Sequence, residues 1–370
     1  MKNIALIYGG KSVEHDISII TAMQTKDGLG SEYNLLPIYI TPQGKMLTAK
    51  NLLDEKIYLD FAKKVEKPLE VIFPAGFGEA WFIKNGKIKN RQKIDCAFLC
   101  CHGHGGEDGK LQGLLEMANI AYTSCDTLSS AVCMDKIATK IYLTHAHIPT
   151  PEYVSFDLCE YDKGRALMLA EIEEKISFPC IVKPANLGSS VGISICENEK
   201  ELKCAIDNAL QFDKKIIVEK FIQNAREFCC AVLKNANTEI ASNVSEVKKG
   251  KFFTFEEKYL EKSEKEKREI SKVLDKKIKD MAKLVYKILD CHGVVRVDFL
   301  LDDKKLFVNE VNSIPGSLSL GMFNIPHGDL LNTLINEGIK RKEDENNILY
   351  QFNSQAIEKY IEMKNSIRKK

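Results

Sequence analysis

Three short apolar runs near the start of the chain constrain its fold most: NIALIYGG at 3–10, NLLPIYIT at 34–41 and KIDCAFLCCHG at 93–103. Runs of this length without polar alternation read as strands covered on both faces. The first and third end in glycine. After the first, SVEHDISIITAMQ reads as the start of a helix with Ile17, Ile20 and Met23 on one side. Strands alternating with helical segments predict a parallel, Rossmann-like sheet in an α/β protein. Ligands of such sheets collect at the carboxyl ends of the strands, where Gly9-Gly10 and the glycines of 103–106 would lie.

Beyond residue 126 the texture changes. DTLSSAVCMDKIATKIYLTHAHIPTPEY reads as helices ending at Pro149, and FPCIVKPANLGSSVGISIC as strand, glycine-serine loop and strand. KIIVEKFI and REFCCAVL are further strands. A charged segment from 261 leads into an amphipathic helix carrying Ile278, Met281, Leu284, Val285 and Ile288, and GVVRVDFLLDDKKLFVNEVN reads as a β-hairpin turning at Asp302-Asp303-Lys304. The expected organisation is an N-terminal Rossmann-like domain over 1–105, a central domain over 106–214, a C-terminal domain over 215–342, and a polar helical tail over 343–370 with Ile357, Tyr360 and Ile361 on its helix.

Composition narrows the function classes. A net charge of +1, with lysines spread among acids, gives no reason to expect nucleic acid or an anionic membrane as partner. No apolar run approaches the roughly 20 residues that span a bilayer, and MKNIALIYGG is too short for a secretory signal. Twelve cysteines, several inside apolar strands and none in a C-x-x-C pair, read as buried reduced thiols of a cytoplasmic protein.

The hairpin carries the most chemistry. With the turn at 302–304, Arg296 falls opposite about Glu310. Alternation then puts Arg296 and Asp298 on one face, and Glu310 and Asn312 together on the return strand, with Asn309 and Val311 opposite. Hard oxygen ligands of this kind suit Mg²⁺ alongside substrate phosphates, although the hairpin alone reads as well as a surface hairpin with an Arg–Glu cross-strand pair. VKPANLGSSVG adds a glycine-serine loop able to present N–H groups and hydroxyls to a phosphate, with a lysine five positions earlier. It is not a Walker A motif. With the hairpin and the upstream MDK, it points to a nucleotide-phosphate and magnesium site.

These segments, with GGKSVEHDIS, HGHGGEDGKLQGLLE, FEEKYL, RVDF and NEVNSIPG, stand in one order over about residues 4–316 and resemble the D-alanine–D-alanine ligases of the ATP-grasp superfamily. The resemblance implies three α/β domains, with ATP between two antiparallel sheets, and residue roles. Lys136, Lys183, Ser189, Ser190 and Lys258 would serve the ATP phosphates; Glu219, Lys220 and the backbone near Ile222 the adenine; Glu227 the ribose. Asp298, Glu310 and Asn312 would hold two Mg²⁺ ions, with Mn²⁺ a possible substitute. Arg296 and the Gly316 N–H would stabilise an oxyanion. Glu14 would hold the first D-amino acid's amino group, linked to Ser189 and Tyr259, with His102 beside the substrate and 245–262 as a lid. A homodimer is implied by analogy. In this reading the glycines of GGEDG shape a strand-to-helix turn. A zinc site from Cys100, Cys101, His102 and His104 is disfavoured, because strand alternation sends the two thiols to opposite faces; His104 reads as a solvent-facing loop residue.

Two stretches depart from the family pattern. SLSLGMF follows IPG where a Thr/Ser-rich segment usually holds the second substrate, leaving Ser317 and Ser319 out of register, and EKSEKEKREIS follows EEKYL. Both touch the acceptor side, so D-serine, D-lactate or another small amino acid stands as the alternative acceptor, and a non-catalytic ATP-binding protein as the remaining one.

Overall fold

A computed structural model describes residues 1–236, 238–247, 270–303, 305–350 and 352–367. The first sheet has seven strands in the order β6-β5-β4-β3-β2-β1-β7. They are β1 Asn3–Gly9, β2 Asn34–Ile40, β3 Met46–Thr48, β4 Leu69–Ile72, β5 Glu79–Lys84, β6 Lys87–Lys93 and β7 Cys96–Leu99. The three apolar runs are the parallel part, with β1 between β2 and β7. Every β1 residue after Asn3 is buried, as a strand covered on both faces requires. The other four strands are antiparallel, so the sheet is mixed rather than parallel throughout. Asn85-Gly86, with φ of 51° and 72°, turns the β5–β6 hairpin, and this Asn-Gly pair is the local signal that marks it. The edge strand β6 (KIKNRQK) is almost wholly exposed, and its four cations discourage pairing with another chain.

The second sheet contains β8 Tyr153–Asp157, β9 Cys180–Pro184, β10 Ser194–Cys196 and β11 Lys215–Lys220, all antiparallel, in the order β10-β9-β11-β8. β11 therefore hydrogen-bonds within this sheet although it follows the expected boundary at 214. The third sheet contains β12 Arg226–Asn235, β13 Thr238–Ala241, β14 Ser245–Val247, β15 Val294–Leu301 and β16 Leu306–Asn312.

Three apolar cores accompany the sheets, and two recruit distant chain. The helices Thr127–Met134 and Lys136–His145 pack, through Val132, Cys133 and Leu143, into the core of the third sheet. The helix His327–Asn346 returns to the first sheet through Leu330, Leu331, Leu334 and Ile335. Its close approach depends on small residues. A Cβ on Gly338 would lie 2.3 Å from the Tyr122 carbonyl oxygen, and one on Gly28 2.6 Å from Leu331 Cδ1.

The helix Lys272–Ile288 buries Ile278 and Val285 as expected, but Leu284 is exposed and Ala282 and Tyr286 complete the buried face. In the helix His15–Leu29, Ile17 is buried whereas Ile20 is exposed, and Ile19 packs inward instead. The tail helix Ala356–Ile367 has no buried residue. Among the described residues no cysteine is in a disulfide, and nine of the twelve are buried; Cys159 and Cys204 are exposed, and Cys229 is intermediate.

Candidate active site

The hairpin β15–β16 places its chemistry two residues away from the expected register. Arg296 pairs with Asn312 and Asp298 with Glu310. β15 ends at Leu301 and β16 begins at Leu306, with the Asp302 N–H donating to the Lys305 carbonyl; Lys304 of the expected turn lies outside the described residues. A β-bulge follows because both Asn309 and Glu310 lie opposite Asp298. Leu306 and Val308 are buried before the bulge and Val311 after it, so the bulge keeps the core face apolar while Asn309, Glu310 and Asn312 share the other side. Asn309, assigned by alternation to the opposite face, is thus a site residue. Its Oδ1 accepts from Lys183 Nζ at 3.2 Å. Replacing Asn309 with alanine removes one of two anchors of Lys183, and is expected to raise the KM for nucleotide about three- to tenfold with kcat little changed in steady-state assays.

Arg296 grips Asp298 through Nε (2.7 Å) and Nη2 (2.8 Å), and Asn312 Nδ2 donates to Asp298 Oδ2 at 3.1 Å. The Asp298 carboxylate outweighs burial and keeps the Arg296 guanidinium firmly charged. Glu310 lies 4.0 Å from Lys136 Nζ, which also donates to the Leu187 carbonyl at 2.7 Å. Two carboxylates and an amide on one face form an all-oxygen donor set, which fits a hard divalent cation. On β12, Glu227 and Cys229 pair across from Leu300 and Asp298, so Glu227 lies on this same face.

Lys183 on β9 reaches Glu219 on β11, with Nζ 2.8 Å from Oε2. Glu219 is 1% exposed and has a second cation beside it, Lys140, with Nζ 3.3 Å from Oε1. Burial alone would raise the Glu219 pKa, but Lys140 and then Lys183 outweigh it and hold it low. Among the described residues, Glu219 Oε1 nevertheless accepts no hydrogen bond. A buried anionic oxygen whose one cation sits beside it as an ion pair fits the amino group of an adenine ring. Lys220, by contrast, is exposed beside Glu152 at 3.7 Å, and Ile222 lies in the loop following β11, half-buried.

The first sheet contributes the third wall. Glu14 precedes the helix His15–Leu29 in the N-cap position but makes no capping bond with its side chain. Its Oε1 accepts instead from Ser189 Oγ at 2.5 Å, 175 residues away. The carboxylate is seated between two glycines: a Cβ on Gly103 would lie 2.7 Å, and one on Gly188 2.9 Å, from Glu14 Oε2. Ser189 and Ser190 both have left-handed backbones, φ 53° and 58°, which turn the loop onto Glu14.

His102 is 3% exposed and both its ring nitrogens are engaged. Nδ1 faces the Ile314 carbonyl at 2.7 Å and carries the proton, leaving Nε2 to accept from Thr21 Oγ1 at 2.8 Å. Thr21 Oγ1 in turn accepts the Ser317 N–H at 3.3 Å. His102 therefore holds the loop around Gly316, and with its nitrogens so used it completes no zinc set. His104 is solvent-facing, with Nδ1 3.1 Å from Asp108.

Burial lowers the His102 pKa to about 4. Between pH 4 and 6.5 the unfolded chain therefore binds a proton that the folded chain does not, and the contribution, full above 6.5, is lost as pH falls to 4. Replacing His102 with glutamine is expected to remove roughly 3 kcal/mol of that dependence, measured by urea unfolding from pH 4.5 to 7.5.

Sequence reasoning passed over Glu107, the first acid of GGEDG. It is buried, accepts the Gly103 N–H through Oε2 and the Ile314 N–H through Oε1, both at 2.8 Å, and so ties two site loops together. Burial, with the Glu14 carboxylate second, pushes its pKa up to about 8 against those N–H donors. An acid set among the glycines of a tight turn was the available signal.

After Pro315, Ser317, Leu318 and Ser319 take three successive left-handed conformations (φ 48°, 51° and 50°). Ser317 is exposed whereas Ser319 is buried. Lys258, Tyr259 and most of the expected lid over 245–262 lie outside the described residues.

This mixed α/β arrangement of lysines and carboxylates between sheets is that of the ATP-grasp class. Residues 3–125 match the family model described as D-ala D-ala ligase N-terminus, and residues 142–329 match D-ala D-ala ligase C-terminus. The D-alanine–D-alanine ligase of Thermosipho melanesiensis is 39% identical over 93% of this chain and 96% of its own. That of Staphylococcus saprophyticus is 35% identical over 95% and 99%. Among solved structures, the D-alanine–D-alanine ligase from Coxiella burnetii superposes with a TM-score of 0.77 at 28% identity, covering 94% of this chain and 97% of that one. The VanG D-Ala:D-Ser ligase from Enterococcus faecalis does so with 0.77 at 30% identity, over 90% and 98%. The chain belongs to the D-alanine–D-alanine ligase family.

Proposed function

We propose that the protein joins two D-alanines into D-alanyl-D-alanine for peptidoglycan synthesis, with ATP converted to ADP and phosphate. The observation that carries this reading is the convergence of three walls. Glu14 with Ser189, Lys183 with Glu219, and Arg296 with Asp298 and Glu310 together offer places for an amine, a nucleotide and a transferring phosphoryl group. The first D-alanine's carboxylate accepts the γ-phosphoryl group, giving an acyl phosphate. The second D-alanine's amine then attacks the acyl carbon, and phosphate leaves.

In this scheme Glu14 holds the first amino group, and Lys136, Lys183, Ser189, Ser190 and Lys258 position the phosphates. Glu219, Lys220 and the Ile222 backbone hold the adenine, and Glu227 the ribose. Arg296 and the Gly316 N–H face the oxyanion that develops on the acyl carbon. Asp298, Glu310 and Asn312 would hold two Mg²⁺ ions, which supply neutralisation of the phosphate charge. His102 and Glu107 keep the Gly316 loop in register, Ser317 and Ser319 line the acceptor side, and Tyr259 with the 245–262 lid excludes the water that would hydrolyse the acyl phosphate. A cytoplasmic homodimer acting on small molecules, away from membrane and nucleic acid, completes the reading.

The test is ADP release with Mg²⁺ and D-alanine alone, then with D-serine or D-lactate added, products identified by mass. D-alanyl-D-alanine from D-alanine alone is the expected result. A product formed only with a second acceptor would assign the left-handed 317–319 turn to a different substrate, and nucleotide binding without any turnover would defeat the enzyme reading.

A further inference from the structure

We propose that Lys140 is a positioning residue: it stays fixed on Glu219 as a permanent counter-ion, so that Lys183 can leave Glu219 for a nucleotide phosphate while Glu219 goes on accepting from the adenine amino group. This deepens the reading above and rests on its placement of adenine at Glu219.

The two lysines that share Glu219 differ in what else they can do. Lys140 lies one turn beyond Lys136 on the helix Lys136–His145, is 1% exposed, and among the described residues its Nζ makes no hydrogen bond. It also faces the Tyr153 ring from β8, with Nζ 5.7 Å from the centroid. Lys140 is thus enclosed, and among the described residues Glu219 is the anion beside it. Lys183 stands at the wall nearest the hairpin, and its second anchor is only the neutral Asn309 amide. The buried group of Lys140, Lys183 and Glu219 carries one net positive charge, which a phosphate beside Lys183 would balance. Burial pulls the Lys140 pKa down to about 8, against the pull of Glu219, and Lys183 and Lys136 add to the lowering. The groups facing Glu219 are therefore Lys140 and Lys183, with Tyr153 and Lys136 behind Lys140 and Asn309 behind Lys183.

Once Lys183 turns to a phosphate, an acid as deeply buried as Glu219 has, among the described residues, only Lys140 to keep it ionised. Without Lys140 it would either take up a proton or keep Lys183 from the phosphate. An ionised carboxylate accepts from the 6-amino group of adenine and repels the 6-oxo group of hypoxanthine. A protonated one tolerates both. Lys140 should therefore set the preference for ATP over ITP without touching either nucleotide.

The experiment compares Mg²⁺-ATP and Mg²⁺-ITP binding by calorimetry in the full-length protein, without D-alanine, for wild type, Lys140→Met, Lys140→Arg and Glu219→Gln. Lys140→Met is expected to lower the ATP/ITP affinity ratio at least about tenfold, with the KM for D-alanine unchanged. Lys140→Arg, which keeps the charge, should hold the ratio within about threefold of wild type. The double variant Lys140→Met with Glu219→Gln, which removes both charges and their burial cost, should match Glu219→Gln alone. That keeps the test decisive if Lys140→Met folds poorly. A wild-type ratio in Lys140→Met alongside a collapsed ratio in Glu219→Gln would overturn the role of Lys140 and leave the adenine placement standing. Wild-type ratios in both would overturn the placement as well.

Discussion

Replacing Arg296 with alanine is expected to lower kcat by about 10³-fold while changing the KM for D-alanine far less. The guanidinium is charged at any working pH and is held by two bonds to Asp298. It is therefore preorganised before any substrate arrives, the condition under which a donor to a developing oxyanion is worth about 10² to 10³ in rate. A second effect adds to the first. Without Arg296, Asp298 keeps only the Asn312 amide among these partners, and its negative charge changes how the hairpin would hold a cation. Arg296→Lys separates the two effects: an ammonium restores charge but not the two-pronged geometry. It should recover nucleotide binding but only part of kcat. Steady-state kinetics alongside nucleotide titration checks both, and an alanine variant retaining more than a tenth of wild-type kcat would remove Arg296 from the chemistry.

Gly106→Ala should destabilise the protein by about 3 kcal/mol, at the upper end of what an overpacked core site costs. The added Cβ would lie 2.4 Å from the Cys101 carbonyl oxygen and 2.5 Å from Cys101 Cβ. Cys101 is buried two residues beyond β7, so neither atom can swing away. Gly105→Ala is the matched control. Gly105 has φ +84° but nothing within 4 Å of a Cβ, so its loss is conformational alone and about 1 kcal/mol. Urea midpoints for the two variants, read against wild type, distinguish steric from conformational cost. Equal midpoints would contradict the contact at Cys101. Because the 103–107 turn also holds Glu107 on Ile314, Gly106→Ala should lose activity with stability, whereas Gly105→Ala should not.

Much of the candidate site could be read from residue types at close spacing. Asp298, Glu310 and Asn312 on one hairpin, Lys183 before a glycine-serine loop, and Lys136 in MDK are local patterns, and strand alternation carries them a short way into space. It failed at Asn309, because one bulged residue reverses every face that follows it. It was also silent on Lys140 and Glu107, whose significance comes from burial beside a charge supplied by another part of the chain. Lys136 and Lys140, four apart on one helix, were visible as a pair, but nothing local says that the second is enclosed.

The sequence by itself determined the parallel strands of the first sheet, the hairpin and loop that bear the charged groups, and the family, since each depends on short-range periodicity or on motifs in order. Tertiary structure alone decided which distant pieces share a core and a wall. It set the helix His327–Asn346 back on the first sheet and two lysines on one buried carboxylate. Those placements follow from close packing and from the cost of leaving a buried charge unpaired. Both are properties of neighbours in space, to which order along the chain is blind.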